Sequence, residues 1–324
     1  MACGKPFRKP NWLVARRRST RAIVVSLRTL LLLGLCYLFL FPIFYLILSA
    51  VSAPEAMADP NVVWLPDQLT LANFKTAFVE LEFSRSALLS LCNTLLGTIA
   101  SLVSCSLIGY GFARFQFAEK KVLFAIVILN IIVPPQTMLI SQYLQFRYFD
   151  FGGILGVLEP ILNFSSVDLL NTPWVFLLPA MLGVGLRDGL FIFIFRQFFL
   201  GIPKDLEEAA RVDGSNALRT FVRIIVPVAV PAFITVLLFS FVWHWNDFYT
   251  SDMMFASGTK PLIPQLAIVK TELANMMNRG GNDALNARGV LASAALLAIT
   301  VPLALYTVTQ RYFVESIERV GMVG

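Results

Sequence analysis

The sequence predicts an all-α membrane protein with six transmembrane helices, on the basis of its composition and the spacing of its apolar runs. Of its 324 residues, 57% are hydrophobic and 14% are charged, and the mean hydropathy is +0.73. A soluble domain has about 45–50% apolar and about 25% charged residues, so the surplus apolar surface is expected to face lipid. The runs that approach the roughly 20 residues needed to cross a bilayer as a helix are 30–50, 88–112, 122–140, 174–195, 226–248 and 290–310.

The first run is interpreted as a retained span. Its 21 residues, 30–50, exceed the roughly 7–15 apolar residues of a secretory signal peptide, and the basic segment before it is also long. Prolines lie inside several of the predicted spans, among them Pro42, Pro134-Pro135, Pro179 and Pro302. Because each one opens a backbone hydrogen bond that lipid cannot replace, we expect either bends around a transport cavity or kinks supported by neighbouring helices.

The distribution of Lys and Arg predicts that both termini are cytoplasmic. Six spans place the two ends of the chain on one side, where the terminal and alternate segments hold eighteen Lys and Arg, against seven in the opposite segments. Positive residues are enriched in cytoplasmic segments. The chain is therefore divided into a basic N-terminal arm (1–29), one membrane domain (30–310) and a cytoplasmic tail (311–324). The outside loop 249–289, with four basic residues, fits the rule least well.

Composition argues against several function classes. Four cysteines without a disulfide framework and a single histidine, His244, leave no metal site, and no catalytic residue is predicted. The net charge of +6 is concentrated before the first span, which indicates membrane topology rather than nucleic-acid binding. No Gly-x-x-x-x-Gly-Lys-[Ser/Thr] phosphate loop is present, so no cofactor is expected on this chain.

The most informative segment is the cytoplasmic connection 200–227 between the fourth and fifth predicted spans. Three carboxylates are suited to the positive end of a helix dipole, and these are Asp205, Glu207 and Glu208. Gly214 can take the left-handed conformation that ends this helix, and Ser215 or Asn216 can cap a second helix that runs to Pro227. The sequence predicts a helix–turn–helix against the inner membrane face.

This segment resembles the EAA loop of binding-protein-dependent ABC-transporter permeases. The run Glu208-Ala209-Ala210 is followed after three residues by Gly214 and later by Val226-Pro227, with valine where the family usually has leucine. Similarity to the maltose-type sugar permeases covers roughly 25–324. Its further motifs are Asn93-Thr94-Leu95, Tyr110-Gly111-Phe112-Ala113-Arg114-Phe115, Leu190-Phe191-Ile192-Phe193, Arg196-Gln197-Phe198-Phe199, Phe239-Ser240-Phe241, Trp245-Asn246-Asp247-Phe248 and Gln310-Arg311-Tyr312-Phe313-Val314.

The resemblance implies the type I ABC importer permease fold in a bacterial plasma membrane. It implies a second, homologous permease subunit in a heterodimer, two cytoplasmic ATPase subunits and an extracytoplasmic solute-binding protein, importing a sugar or oligosaccharide. ATPase closure would move the EAA helix as a rigid body, with Glu208 as polar anchor. The coupling residues that it implies are Glu207, Glu208, Ala209, Ala210, Arg211, Asp213, Gly214 and Pro227.

Candidate residues for the solute path are amides, acids and indoles, because sugar hydroxyls need hydrogen-bond partners and sugar rings pack on aromatic faces. They are Asn93, Asn130, Trp243, Trp245, Asn246 and Asp247. For the tryptophans, an interfacial aromatic belt is the alternative. Arg187 and Asp188 form either an intramembrane ion pair or part of a break near the outer interface. The loop 249–289 is either a docking site for the binding protein or a connector.

Two further readings stay open at this stage. The solute of the ABC permease can be glycerol phosphate or another polar compound instead of a sugar. The chain can also be an ion-coupled secondary transporter, but such a protein would favour paired intramembrane carboxylates or matching half-helices in two repeats, and Asp188 is the clearest carboxylate within a predicted span. A membrane enzyme lacks a nucleophile motif of the Gly-x-Ser-x-Gly type.

Overall fold

The computed structural model describes residues 11–53, 68–155, 157, 166–279 and 281–321. Residues 1–10 of the predicted arm and 322–324 of the predicted tail lie outside the described residues. Over the described part the chain is helical. In chain order the helices are α1 (Asn11–Val51), α2 (Ala72–Glu80), α3 (Phe83–Arg114), α4 (Lys120–Ile132), α5 (Leu139–Arg147), α6 (Trp174–Met181), α7 (Asp188–Gly201), α8 (Asp205–Val212), α9 (Ala217–Thr220), α10 (Val230–Trp245), α11 (Tyr249–Met254), α12 (Leu262–Arg279) and α13 (Gly281–Gly321).

Three helices of the described residues are long and apolar enough to cross a membrane. They are the Ile23–Val51 part of α1, the whole of α3, and the Ala284–Arg311 part of α13. Two bent helix pairs meet the same test, so up to five spans satisfy it by length and composition. The six-span count and the side of the termini stay predictions.

The bent pairs fall where the third and fifth spans were predicted. α4 and the segment Pro135–Arg147 meet at 99°, because Pro134 and Pro135 lack the backbone N–H groups that would continue the helix. Ala217–Val228 and α10 meet at 80°, at a break next to Pro231. The third predicted span is therefore not one straight helix, and the fourth is divided between α6 and α7.

Helix α3 is at the centre of the fold and packs against α6, α7 and α10. Its buried face consists of small and hydroxyl-bearing residues, among them Ser86, Ser90, Thr94, Gly97, Thr98, Ser101 and Ser104. Such residues allow helix backbones to approach closely. A Cβ atom on Gly109 would lie 2.7 Å from the Cβ of Phe195 in α7. The close contact between α3 and α7 therefore depends on having glycine, with no side chain, at position 109.

The two ends of α3 contact different segments of the chain, one containing α8 and the other containing α12. Near its C-terminus Arg114 contacts the segment that contains α8, and near its N-terminus Ser90 accepts a hydrogen bond of 2.7 Å from the backbone N–H of Leu262, at the start of α12. With a rise of about 1.5 Å per residue, these two points are about 36 Å apart, and the hydrocarbon core is about 30 Å thick. This separation agrees with the prediction that 200–227 and 249–289 lie on opposite sides.

The predicted outside loop 249–289 is largely helical. It contains α11, α12 and the start of α13, so most of its described residues lie in helices. One face of α12 is buried against α13 and α3, through Leu262, Val269 and Leu273. This amphipathic packing explains why the segment is ordered without being apolar enough to span a membrane.

Candidate functional site

The segment 200–227 folds as the helix–turn–helix that the sequence predicts. Gly214 follows α8 with φ of +78°, a left-handed conformation that favours glycine. Asn216, rather than Ser215, caps the second helix, because its Oδ1 accepts a 2.8 Å hydrogen bond from the backbone N–H of Arg219. The chain then continues from α9 through one π-helical turn, Phe221–Ile225, towards α10.

A buried ion pair joins α8 to the end of α3. Glu207 Oε1 lies 2.5 Å from Nε of Arg114, and the two side chains are 3% and 5% exposed. The Tyr110 hydroxyl donates a 3.1 Å hydrogen bond to Glu207 Oε2, and Arg114 Nη2 donates to the carbonyl oxygen of Ile202 at 2.7 Å. Removing one partner of a buried pair costs about 3–5 kcal/mol, because the other charge is left uncompensated. The position of α8 is therefore fixed relative to α3.

Helix α8 has an inward face and an outward face. Glu207 and Ala210 are buried within the chain, at 2% and 4% exposure. The outward face carries the other coupling residues predicted on this helix and its turn, and these exposed residues are Glu208, Ala209, Arg211, Asp213 and Gly214. Val212 is also on this face, at 88% exposure. Pro227 is exposed in the short helix Val226–Val228, outside α8.

The fourth predicted span is broken at 182–187, directly before Asp188. Arg187 has a left-handed φ of +64°. Asp188 begins α7 with no exposed surface, and its carboxylate accepts hydrogen bonds from Ser101 Oγ at 2.6 Å and from the backbone N–H of Gly185 at 2.8 Å. A Cβ on Gly185 would lie 2.8 Å from Asp188 Oδ2. The loop is therefore built around this carboxylate.

The predicted ion pair between Arg187 and Asp188 is wrong. Both carboxylate oxygens of Asp188 are bound by groups of α3 and of the break, whereas the guanidinium carbon of Arg187 lies 5.6 Å from the ring centroid of Trp243. Ser101, which bonds to Asp188, lies about midway along α3 between the contacts at Arg114 and Ser90. The position of the break relative to the membrane interface stays a prediction.

Two adjoining cavities open beside this break. Their volumes are about 290 and 220 Å³, and both are lined by Pro135, Leu186, Arg187 and Thr250. Polar and aromatic side chains from α4, α5, α10 and the bend between α4 and α5 complete the walls, and they include Asn130, Gln136, Gln142, Trp243, Asn246 and Asp247. Amides, one indole and one guanidinium are groups that bind a polar, ring-shaped solute.

Four of the six predicted path residues line these cavities, and two do not. Trp245 is 2% exposed in the core between α10 and α13, and its Nε1 donates a 3.1 Å hydrogen bond to the carbonyl oxygen of Ala298. Asn93 is 5% exposed on α3, and its side-chain amide has no hydrogen-bond partner among the described residues. The expectation that these two residues line the path is therefore not met by the cavities.

Sequence reasoning missed three contributors. Gln136 and Gln142 reach the cavities because the chain turns by 99° after Pro134-Pro135, whereas a straight third span would place them at its outer end. For Gln136 the available signal was its position directly after Pro134-Pro135. For Ser101 no local signal was available, because its hydrogen bond to Asp188 joins residues 87 positions apart in the chain.

Comparison with known proteins identifies the family. The family described as "Binding-protein-dependent transport system inner membrane component" matches residues 12–319. The chain belongs to this family. Its relatives include the osmoprotective compounds uptake permease protein GgtD of Synechocystis sp., with 30% identity over 79% of this chain and 77% of that protein. Another is the polygalacturonan/rhamnogalacturonan transport system permease protein YtcP of Bacillus subtilis, with 25% identity over 85% and 89%.

The fold of this permease matches solved ABC transporters. One is a bacterial ABC transporter involved in the import of the acidic polysaccharide alginate, with a TM-score of 0.71, 21% identity, and coverage of 95% of this chain and 100% of that chain. At this identity the match concerns the fold alone. Together with its apolar helices, the family membership makes the permease a multi-pass inner-membrane protein.

Proposed function

We propose that this chain is the permease subunit of an ATP-driven, solute-binding-protein-dependent importer of a sugar or oligosaccharide. The permease would act with a second homologous permease, two ATPase subunits that use ATP and Mg²⁺, and an extracytoplasmic solute-binding protein, in a bacterial plasma membrane. Its relatives support the solute class, since they include permeases named for polygalacturonan and rhamnogalacturonan and for alpha-glucosides. The cavities beside Arg187 support a polar solute.

The observation that carries the coupling part of the proposal is the buried Glu207–Arg114 ion pair. The outward face of α8, with Glu208 and Ala209, is available to an ATPase subunit, and small side chains allow close approach. Because the inward face is joined to α3, a displacement of α8 is passed to α3 rather than absorbed by a flexible loop. Helix α3 contacts α7 and α10. Arg187, directly before α7, and Trp243, on α10, both line the smaller cavity.

Rigid-body movement of packed helices is the expected consequence. Packed cores move between discrete arrangements rather than deform continuously. ATPase closure would therefore tilt α3 together with α7 and α10, and would change the access of the cavities from one side of the membrane to the other. The chain's own residues supply the connection between the ATPase and the cavities, and the chemistry of ATP hydrolysis belongs to the partner subunits.

The test measures solute uptake and ATP hydrolysis in proteoliposomes that contain the complete transporter. Glu208→Lys reverses a charge on the exposed face of α8, and we expect it to abolish uptake and stimulated ATP hydrolysis while the permease still inserts. The matched control is Glu272→Lys, the same charge change at an exposed position of α12, a helix that is attached near the opposite end of α3 from α8.

Two results would contradict the proposal. Normal uptake by Glu208→Lys would show that the exposed face of α8 is not the contact with the ATPase. Uptake that continued without ATPase subunits and followed an ion gradient would favour the secondary-transporter alternative.

A further inference from the structure

We infer that Arg187 binds an anionic group of the transported solute, a carboxylate or a phosphate, so that this permease selects acidic sugars or sugar phosphates over neutral sugars. The inference rests on the proposed transport function and names its solute class. It starts from the position of the guanidinium, which lies on the wall of both cavities and over the ring of Trp243.

The positive charge of Arg187 has no carboxylate partner within the part of the chain that the structure describes. Two acids are close to it in sequence or in the cavity wall, and both are engaged elsewhere. Asp188 is fully buried and accepts hydrogen bonds from Ser101 and Gly185. Asp247 Oδ2 accepts a 2.9 Å hydrogen bond from the backbone N–H of Ser251 in α11. Within the described residues, the guanidinium of Arg187 therefore forms no ion pair, and its nearest cavity acid, Asp247, is held by the start of α11.

The backbone conformation of Arg187 is itself energetically unfavourable. A non-glycine residue with φ of +64° is disfavoured, and such residues persist where the surrounding structure requires them. Arg187 is also a charged residue within the fourth predicted span, and it directly precedes Asp188, which bonds to Ser101 of α3. A glycine would avoid both the strain of the positive φ and the cost of the charge. Ionisable residues inside membrane segments are functional-site candidates for this reason.

The site is preorganised for an oxyanion. The indole of Trp243 is stacked against Phe191 and Phe239, each with ring centroids 5.6 Å away, so the surface beneath the guanidinium is fixed. A guanidinium presents several N–H donors in a plane and binds carboxylate or phosphate oxygens in pairs. The neighbouring amides Asn130 and Gln142 can bind sugar hydroxyls. A guanidinium without an ion-pair partner, beside amides and an indole, fits one acidic sugar unit.

The experiment uses the complete transporter in proteoliposomes and three labelled probes: digalacturonate, neutral galactobiose and glycerol 3-phosphate. Arg187→Met keeps an unbranched side chain over Trp243 and removes the charge, and Arg187→Lys keeps the charge without the paired donors. The matched control is Arg85→Met, at an exposed position near the N-terminus of α3. Basal ATP hydrolysis is measured for every variant.

We expect wild type to take up an anionic probe in preference to galactobiose. Arg187→Met should lower uptake of that anionic probe at least about tenfold, mainly by raising KM, which is the scale of a hydrogen bond to a charged group. Arg187→Lys should retain an intermediate fraction, and Arg85→Met should match wild type. Loss of digalacturonate uptake identifies the carboxylate, and loss of glycerol 3-phosphate uptake identifies the phosphate.

Three results would overturn the inference while leaving the proposed function intact. One is ATP-dependent uptake of galactobiose in preference to both anions. A second is uptake of the anionic probe that Arg187→Met leaves unchanged. The third is an equal loss of all uptake in Arg187→Met, which would indicate that Arg187 only supports the fold or pairs with the second permease. If no probe is taken up in an ATP-dependent manner, the proposed sugar-import function itself fails.

Discussion

Replacing Glu207 by glutamine should detach α8 from α3. The ion pair with Arg114 is 2.5 Å long and both side chains are at most 5% exposed, so solvent screens it little. Removing one partner of such a pair costs about 3–5 kcal/mol. Since each 1.4 kcal/mol is a factor of ten, the fraction of molecules with α8 detached should rise by about a hundredfold to several thousandfold. Amide hydrogen exchange of 203–215 in lipid nanodiscs measures that fraction.

The matched control for this prediction is Glu208→Gln. It makes the same chemical change at the next residue, on the exposed face, and should leave exchange in 203–215 close to that of wild type. The double variant Glu207→Leu with Arg114→Leu should recover much of the protection, because an apolar pair leaves no buried charge. Equal exchange in Glu207→Gln and Glu208→Gln would refute the reasoning, as would strictly additive effects of the two leucine substitutions.

Two glycines give further predictions. Gly97→Ala places a Cβ 2.6 Å from Cδ2 of His244, and overpacking of this kind should lower the free energy of unfolding of the purified permease by about 1–3 kcal/mol, seen as a lower melting temperature. The control is Gly111→Ala, which has open space around it and should melt like wild type. Equal melting temperatures of the two variants would contradict the close approach of α3 and α10. Gly214→Pro cannot adopt a φ of +78° and should abolish ATP-dependent uptake while the protein still inserts in the membrane, as followed by membrane fractionation; full uptake would show that the turn after α8 is not required.

Local sequence signals were sufficient for the turn after α8 and insufficient for its attachment. A left-handed glycine and an asparagine cap act within a few residues, and Gly214 and Asn216 occupy the places that the sequence predicts. The partner of Glu207 is 93 residues away in the chain, at Arg114. No spacing within 200–227 distinguishes Glu207, which is buried, from Glu208, which is exposed. Only the packing of α8 on α3 separates their roles.

Packing, rather than local sequence, also decides which aromatic residues lie on the solute path. Trp243 and Trp245 are two positions apart on α10, so they point to faces that are about 200° apart at 3.6 residues per turn. Composition could not decide which face meets the cavity. In the structure Trp243 lines the smaller cavity, whereas Trp245 packs towards α13 and bonds to Ala298. A sequence-based list of aromatic candidates therefore includes residues of both faces.

Segment 249–289 shows the limit of hydropathy as a guide. It lacks an apolar run of about 20 residues and was therefore interpreted as a loop. The apolar positions Leu262, Leu266, Val269 and Leu273 recur at helical spacing and form the buried face of α12. That periodicity is visible in the sequence. A test of helical periodicity, beside the test of total hydrophobicity, would have predicted this helix.

Helix α3 can also be considered as a stiff lever. Its 32 residues extend over about 48 Å at 1.5 Å per residue. If its Arg114 end follows α8, a tilt of about 6° about the opposite end moves that end by about 5 Å and the level of Ser101 by about half as much, for a rod of this length. The smaller displacement, at the level of Ser101, is close to the diameter of a water molecule. A small angular change at the inner face is therefore enough to widen or close a passage beside Arg187.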